Sequence, residues 1–76
     1  MPIIRRFATC VLRINPDDHN PPHFHVVLRD GREAMVEIAS LRVLRGGVPA
    51  RLIAEALDWA AEHREMLLAK WKELNP

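Results

Sequence analysis

A single cysteine, Cys10, is all that the chain carries, so no disulfide can form within it, and that usage suits a reducing cytosol. No Cys-x-x-Cys pair exists. Serine occurs once, at Ser40, with no nucleophile-elbow motif around it. Glycine is scarce, and Gly46-Gly47 is a lone pair before a helical stretch rather than a glycine-rich phosphate loop. No apolar run approaches the ~18 residues needed to cross a bilayer, and no signal-peptide core is present. The formal charge of +1 supplies no long-range field for nucleic acid or an anionic membrane. These absences leave a small cytoplasmic protein with no membrane role. Its 76 residues allow one domain, spanning 1–76. A chain of that length buries only about 60–65% of its extended surface, so stability is marginal unless it oligomerises or binds something. The apolar fraction of 49% suffices for a core and argues against disorder.

What is present begins as alternation. Over residues 3–15, Ile4, Ala8, Cys10, Leu12 and Ile14 fall on one face, with Ile3, Phe7, Val11, Arg5 and Arg13 on the other or at its ends; Arg6 interrupts the first face. This reads as one strand, partly covered on both sides, with Cys10 as a small buried hydrophobe rather than a reactive thiol. Asn15-Pro16-Asp17-Asp18 ends it. Alternation resumes over 23–29 and again over 32–39, separated by the hairpin signal Asp30-Gly31. A two-residue loop would place Glu33 and Glu37 on the core face. A three-residue loop ending at Gly31 pairs Val26 with Ala34 and Phe24 with Val36, keeping that face dry, and is the register expected. Residues 41–45 suggest a short further strand. Pro49 suits the first turn of a helix, and apolar spacing of three or four, interrupted at Arg64, then runs to Leu74. The expected fold is α+β: an antiparallel β-meander of three to four strands packed on one long C-terminal helix over about 49–74.

One stretch stands apart. His19-Asn20-Pro21-Pro22-His23-Phe24-His25 concentrates three of the four histidines around two prolines. Residues two apart on a strand project to one face, so His23 and His25 can share a ligand. The chosen hairpin register adds Glu37, giving a two-histidine, one-carboxylate set of the kind that holds Fe(II) or Zn(II). Asp18 and His19, on the loop before, could supply a further group. Pro21-Pro22 would pre-set the backbone and lower the ordering cost of binding. The binding candidates are therefore Asp18, His19, Asn20, His23 and His25, and the metal candidates His23, His25 and Glu37. A divalent metal is compatible with them, but no cofactor is firmly implied. Acid–base chemistry without metal and a plain hydrogen-bonding role compete with the metal reading, and no catalytic residue is assigned. If Phe24, Val26 and Leu28 face the helix, His23 and His25 point away from it. His63 then stays outside the cluster, at the edge of the core. Trp59 and Trp71 read as core or interface residues. Arg42, Arg45 and Arg51 make a modest basic patch without an aromatic platform, a weak signal for nucleic acid.

Met1-Pro2-Ile3, Asp18-His19-Asn20-Pro21-Pro22-His23-Phe24-His25, Val48-Pro49 and the helical Trp59, His63, Leu67 and Trp71 together resemble the bacterial domain-of-unknown-function family 4160. The resemblance implies a compact α+β domain without an assigned activity. It also implies a gene beside another small one, similar to the layout of toxin–antitoxin pairs. The leading expectation is thus a small cytoplasmic protein-binding component of such a pair. A metal-dependent hydrolase or nuclease using the His23/His25 face, and a nucleic-acid-binding regulator, are the alternatives. The apolar groups left over by one thin layer further suggest a homodimer or a small partner protein encoded nearby.

Overall fold

The computed structural model describes residues 3–76, so Met1 and Pro2 lie outside the described residues. Five strands form one antiparallel sheet in the order β1-β2-β3-β4-β5, each paired with its neighbour in sequence. They are β1 Ile3–Arg6, β2 Cys10–Arg13, β3 His23–Leu28, β4 Glu33–Glu37 and β5 Val43–Arg45. Two helices follow, α1 Ala50–Ala61 and α2 Arg64–Leu74. The meander and the α+β class stand as read from the sequence; five strands and two helices replace the expected three to four strands and single helix.

The first difference lies at 3–15, which is a hairpin rather than one strand. The Phe7 amide donates to the Cys10 carbonyl at 2.8 Å, and the chain reverses through Ala8-Thr9. Neither is a usual turn former. The turn is instead held from a distance, with Thr9 Oγ1 donating to the Leu52 carbonyl at 2.7 Å and the Ala8 amide to Glu55 Oε1 at 3.5 Å. A register shift between Ile3 and Arg5 completes the departure from a single alternating face.

The second difference is a break after Ala61. His63 Nδ1 donates to the Trp59 carbonyl at 2.7 Å, and its ring stacks on the Trp59 ring at 4.1 Å. The His63 amide turns to the Ala60 carbonyl at 3.0 Å, so the ladder tightens to a three-residue step and then restarts. His63 is tied to Trp59 and, among the described residues, is not in the group that Asp18, His23 and His25 form.

The β3–β4 hairpin has the expected register, with Phe24 opposite Val36, Val26 opposite Ala34 and His23 opposite Glu37. Gly31 closes the loop at φ +92, a conformation that needs a residue without Cβ. Cys10, Leu12, Ile14, Phe24, Val26, Val36 and Ile38 from the sheet meet Ile53, Ala56, Ala60, Leu67 and Trp71 from the helices in one buried core. The other sheet face carries Ile3, Arg6, Val11, Arg13, Val27 and Met35, where Val11, Val27 and Met35 are half-buried and Ile3 is 45% exposed. On the helices, Leu52, Leu57, Trp59 and Leu68 pack on the core, while Met66 stays 40% exposed. No helix among the described residues is long and apolar enough to cross a membrane.

Candidate functional site

Proline at 16 and the left-handed Asp17 (φ 54) turn the chain out of β2, and residues 15–22 return it to β3. Asn75, just past α2, fastens this loop from the far end of the molecule. Its Oδ1 accepts from the Asp18 amide at 2.6 Å, and its Nδ2 donates to the Asn15 carbonyl at 3.2 Å and the Trp71 carbonyl at 3.1 Å.

Held there, Asp18 meets both strand histidines. Its Oδ2 lies 2.9 Å from His23 Nε2 and 3.2 Å from His25 Nε2. Its Oδ1 accepts from the His19 amide at 2.9 Å, with His19 Nδ1 at 3.0 Å. Burial opposes a charge on Asp18. The His19 amide and the His25 and His23 rings outweigh it, holding the carboxyl down to about 2. Asp18 is therefore an anion at any ordinary pH.

His23 is 1% exposed. Its ring centroid is 4.9 Å from that of Trp71 and 5.0 Å from that of His25. Both ring nitrogens face acceptors, since Nδ1 donates to the Pro21 carbonyl at 2.7 Å while Nε2 faces the Asp18 carboxylate. The expectation that both strand histidines point away from the helices is corrected here, because His23 lies against Trp71 of α2. His25 sits beside Arg13 in the β2–β3 register. Its Nδ1 is buried without a hydrogen-bond partner, and Glu33 Oε2 is 3.9 Å away. That same oxygen accepts from Arg13 Nη2 at 3.3 Å.

Of the residues singled out in the sequence, the structure brings together Asp18, His23 and His25, whose candidate ligand atoms all lie within 4.8 Å of one another. His19 is bonded to the other oxygen of Asp18, with its side chain 70% exposed. Asn20 is exposed on the loop. Glu37 pairs with His23 in register, but its carboxylate accepts from Ser40 Oγ and is outside the converging group. Sequence reasoning missed Asn75, Glu33 and Arg13. The pairing of Glu33 with Val27, and so its place two residues along from Met35 opposite His25, could have been counted out from the hairpin register. The remaining features are plain ones. Cys10 is 2% exposed, and desolvation pushes its thiol up, with Glu55 adding to the rise and Thr9 opposing it. Arg42, Arg45 and Arg51 are exposed.

The family model described as a domain of unknown function (DUF4160) matches residues 11–72. The chain belongs to this family. The DUF4160 match takes in the whole histidine loop, β3 and Trp71, and stops short of Asn75. Nothing among the curated proteins or the solved structures matches the chain.

Proposed function

We propose that this DUF4160 protein is a protein-binding module, one component of a toxin–antitoxin-like pair, and that it works by contact. The observation that carries this reading is the sheet face opposite the helices. Among the described residues, none forms a layer over Ile3, Val11, Val27 and Met35 there, and a groove of about 450 Å³ is lined by Ile3, Val11 and Val27 together with Arg6, Arg13 and Arg29. A core this small is short of apolar burial, and each aliphatic side chain fully covered by a partner contributes roughly 1.5–3 kcal/mol. Arginines beside an apolar strip suit a partner segment with an acidic rim. The paired-gene layout implied by the family resemblance supplies the partner to try first, the product of the adjacent gene.

Co-expression of the two proteins followed by size-exclusion chromatography tests this reading. Co-elution is expected, and Val27→Glu should separate the two while leaving the circular dichroism of the chain unchanged. Separate elution of the wild-type proteins at micromolar concentration overturns the reading. If the same face instead pairs two copies of the chain, sedimentation equilibrium of the chain alone will give a dimer that Val27→Glu dissociates.

A further inference from the structure

We infer that Asp18, His23 and His25 form a binding site for a divalent transition-metal ion of the Zn(II) class, with Asp18 Oδ2, His23 Nε2 and His25 Nε2 as ligand atoms. The first support is geometric. Ligands bound at 2.0–2.1 Å around a tetrahedral ion lie about 3.3 Å from one another. Asp18 Oδ2 is 2.9 Å from His23 Nε2 and 3.2 Å from His25 Nε2, and all three atoms fall within 4.8 Å. Modest opening of the group admits an ion.

The second support is the accounting of protons. The Pro21 carbonyl can only accept, so His23 Nδ1 carries a proton, and in a neutral ring Nε2 then presents its lone pair to the Asp18 carboxylate. Two lone pairs facing at 2.9 Å need a positive centre between them, which a proton or a metal ion supplies. His25 Nε2 faces the same oxygen at 3.2 Å, and a hydrogen bond donated from it leaves the buried His25 Nδ1 without a partner. A metal ion resolves both. His23 keeps its Nδ1 proton on Pro21 and ligates through Nε2. His25 takes the other tautomer, ligating through Nε2 and turning its Nδ1 proton toward Glu33 Oε2, now 3.9 Å away. A carboxylate or carbonyl behind each ligating imidazole is the usual way proteins fix the ring and its tautomer. The donor set of two imidazoles and one carboxylate excludes the soft, thiolate-seeking ions and disfavours calcium and magnesium, which prefer oxygen.

Titration of the purified chain with Zn(II), and separately with Co(II), is the test. One equivalent of either should bind, and Co(II) should develop the visible absorption of a low-coordinate nitrogen and oxygen site. His25→Ala should weaken binding at least tenfold, and Glu33→Gln by about tenfold, the scale of losing a group that orients a ligand. His63→Ala, whose ring is bonded to Trp59, should bind as the wild type does. His23→Ala is a poor probe because so buried a residue risks the fold, whereas the Co(II) spectrum reads the wild-type protein directly. Folded wild-type protein that takes up no metal at ~100 μM, a range in which even weak sites load, overturns the proposal. So does a His25→Ala variant that binds with unchanged affinity.

Discussion

The Asp18 amide donates to Asn75 Oδ1 at 2.6 Å across 57 residues of chain, joining the histidine loop to the end of the last helix. Asn75→Ala removes this acceptor together with the two bonds from Nδ2. Trp71 keeps the Asn75 backbone amide at 2.8 Å, so the variant leaves the half-buried Asp18 amide and the Asn15 carbonyl unmet, at a cost of about 1–3 kcal/mol. Chemical denaturation should show a lower midpoint with an unchanged slope. Amide exchange should rise in residues 15–22 more than in β3. A variant as stable as the wild type would show that solvent replaces Asn75 without loss.

Acid should act through Asp18. Its folded pKa, about 2, lies below the ordinary value of 3.8, so it contributes stability that is complete above pH 4 and is lost as pH falls toward 2. The contribution is on the order of 1–2 kcal/mol. In chelator-treated protein, denaturation midpoints measured from pH 5 to pH 2 should fall, and Asp18→Asn should flatten much of that slope while lowering stability at pH 7. Parallel slopes for the two proteins would remove Asp18 from this role.

Cys10 should be inert. At 2% exposure, with desolvation raising its pKa, it holds little thiolate. Dithionitrobenzoate at pH 8 should modify the native protein far more slowly than protein in denaturant, and rapid native labelling would show that the β1–β2 hairpin opens readily.

Gly46 and Gly47 should differ sharply despite being neighbours. Gly46 has φ +111, and a Cβ there would meet the Glu33 carbonyl and come within 2.8 Å of Ala34 Cα. Gly46→Ala combines backbone strain with a backbone collision and should cost about 1–3 kcal/mol. Gly47 has nothing within 4 Å of such a Cβ. Its alanine variant should fall within about 0.5 kcal/mol of the wild type by thermal melting. Equal effects would refute the assignment.

Local signals made the β3–β4 hairpin legible. Gly31 marks the loop, and only one register keeps Phe24, Val26, Ala34 and Val36 on a dry face. The β1–β2 turn was not legible, because Ala8-Thr9 carries no turn chemistry of its own and is held by Leu52 and Glu55 of a helix more than 40 residues away. The helix break was hidden in the same way, since a histidine side chain rather than a proline or glycine diverts the Trp59 carbonyl. In the site, spacing on a strand put His23 and His25 together and the loop offered Asp18. Asn75 and Glu33 reach that site only through tertiary packing, and Glu37, which pairing had favoured, turned to Ser40.

The order of the strands sets an order in time. Each strand pairs with its sequence neighbour, so the sheet assembles through short loops and needs little of the chain at once. The histidine loop is different, for its anchor is Asn75. Asp18 therefore reaches its final position only when α2 has formed and docked. In pulse-labelled hydrogen exchange during refolding, the Asp18 amide should gain protection after the amides of β3 and β4. The histidine loop is then the last part of the fold to become ready.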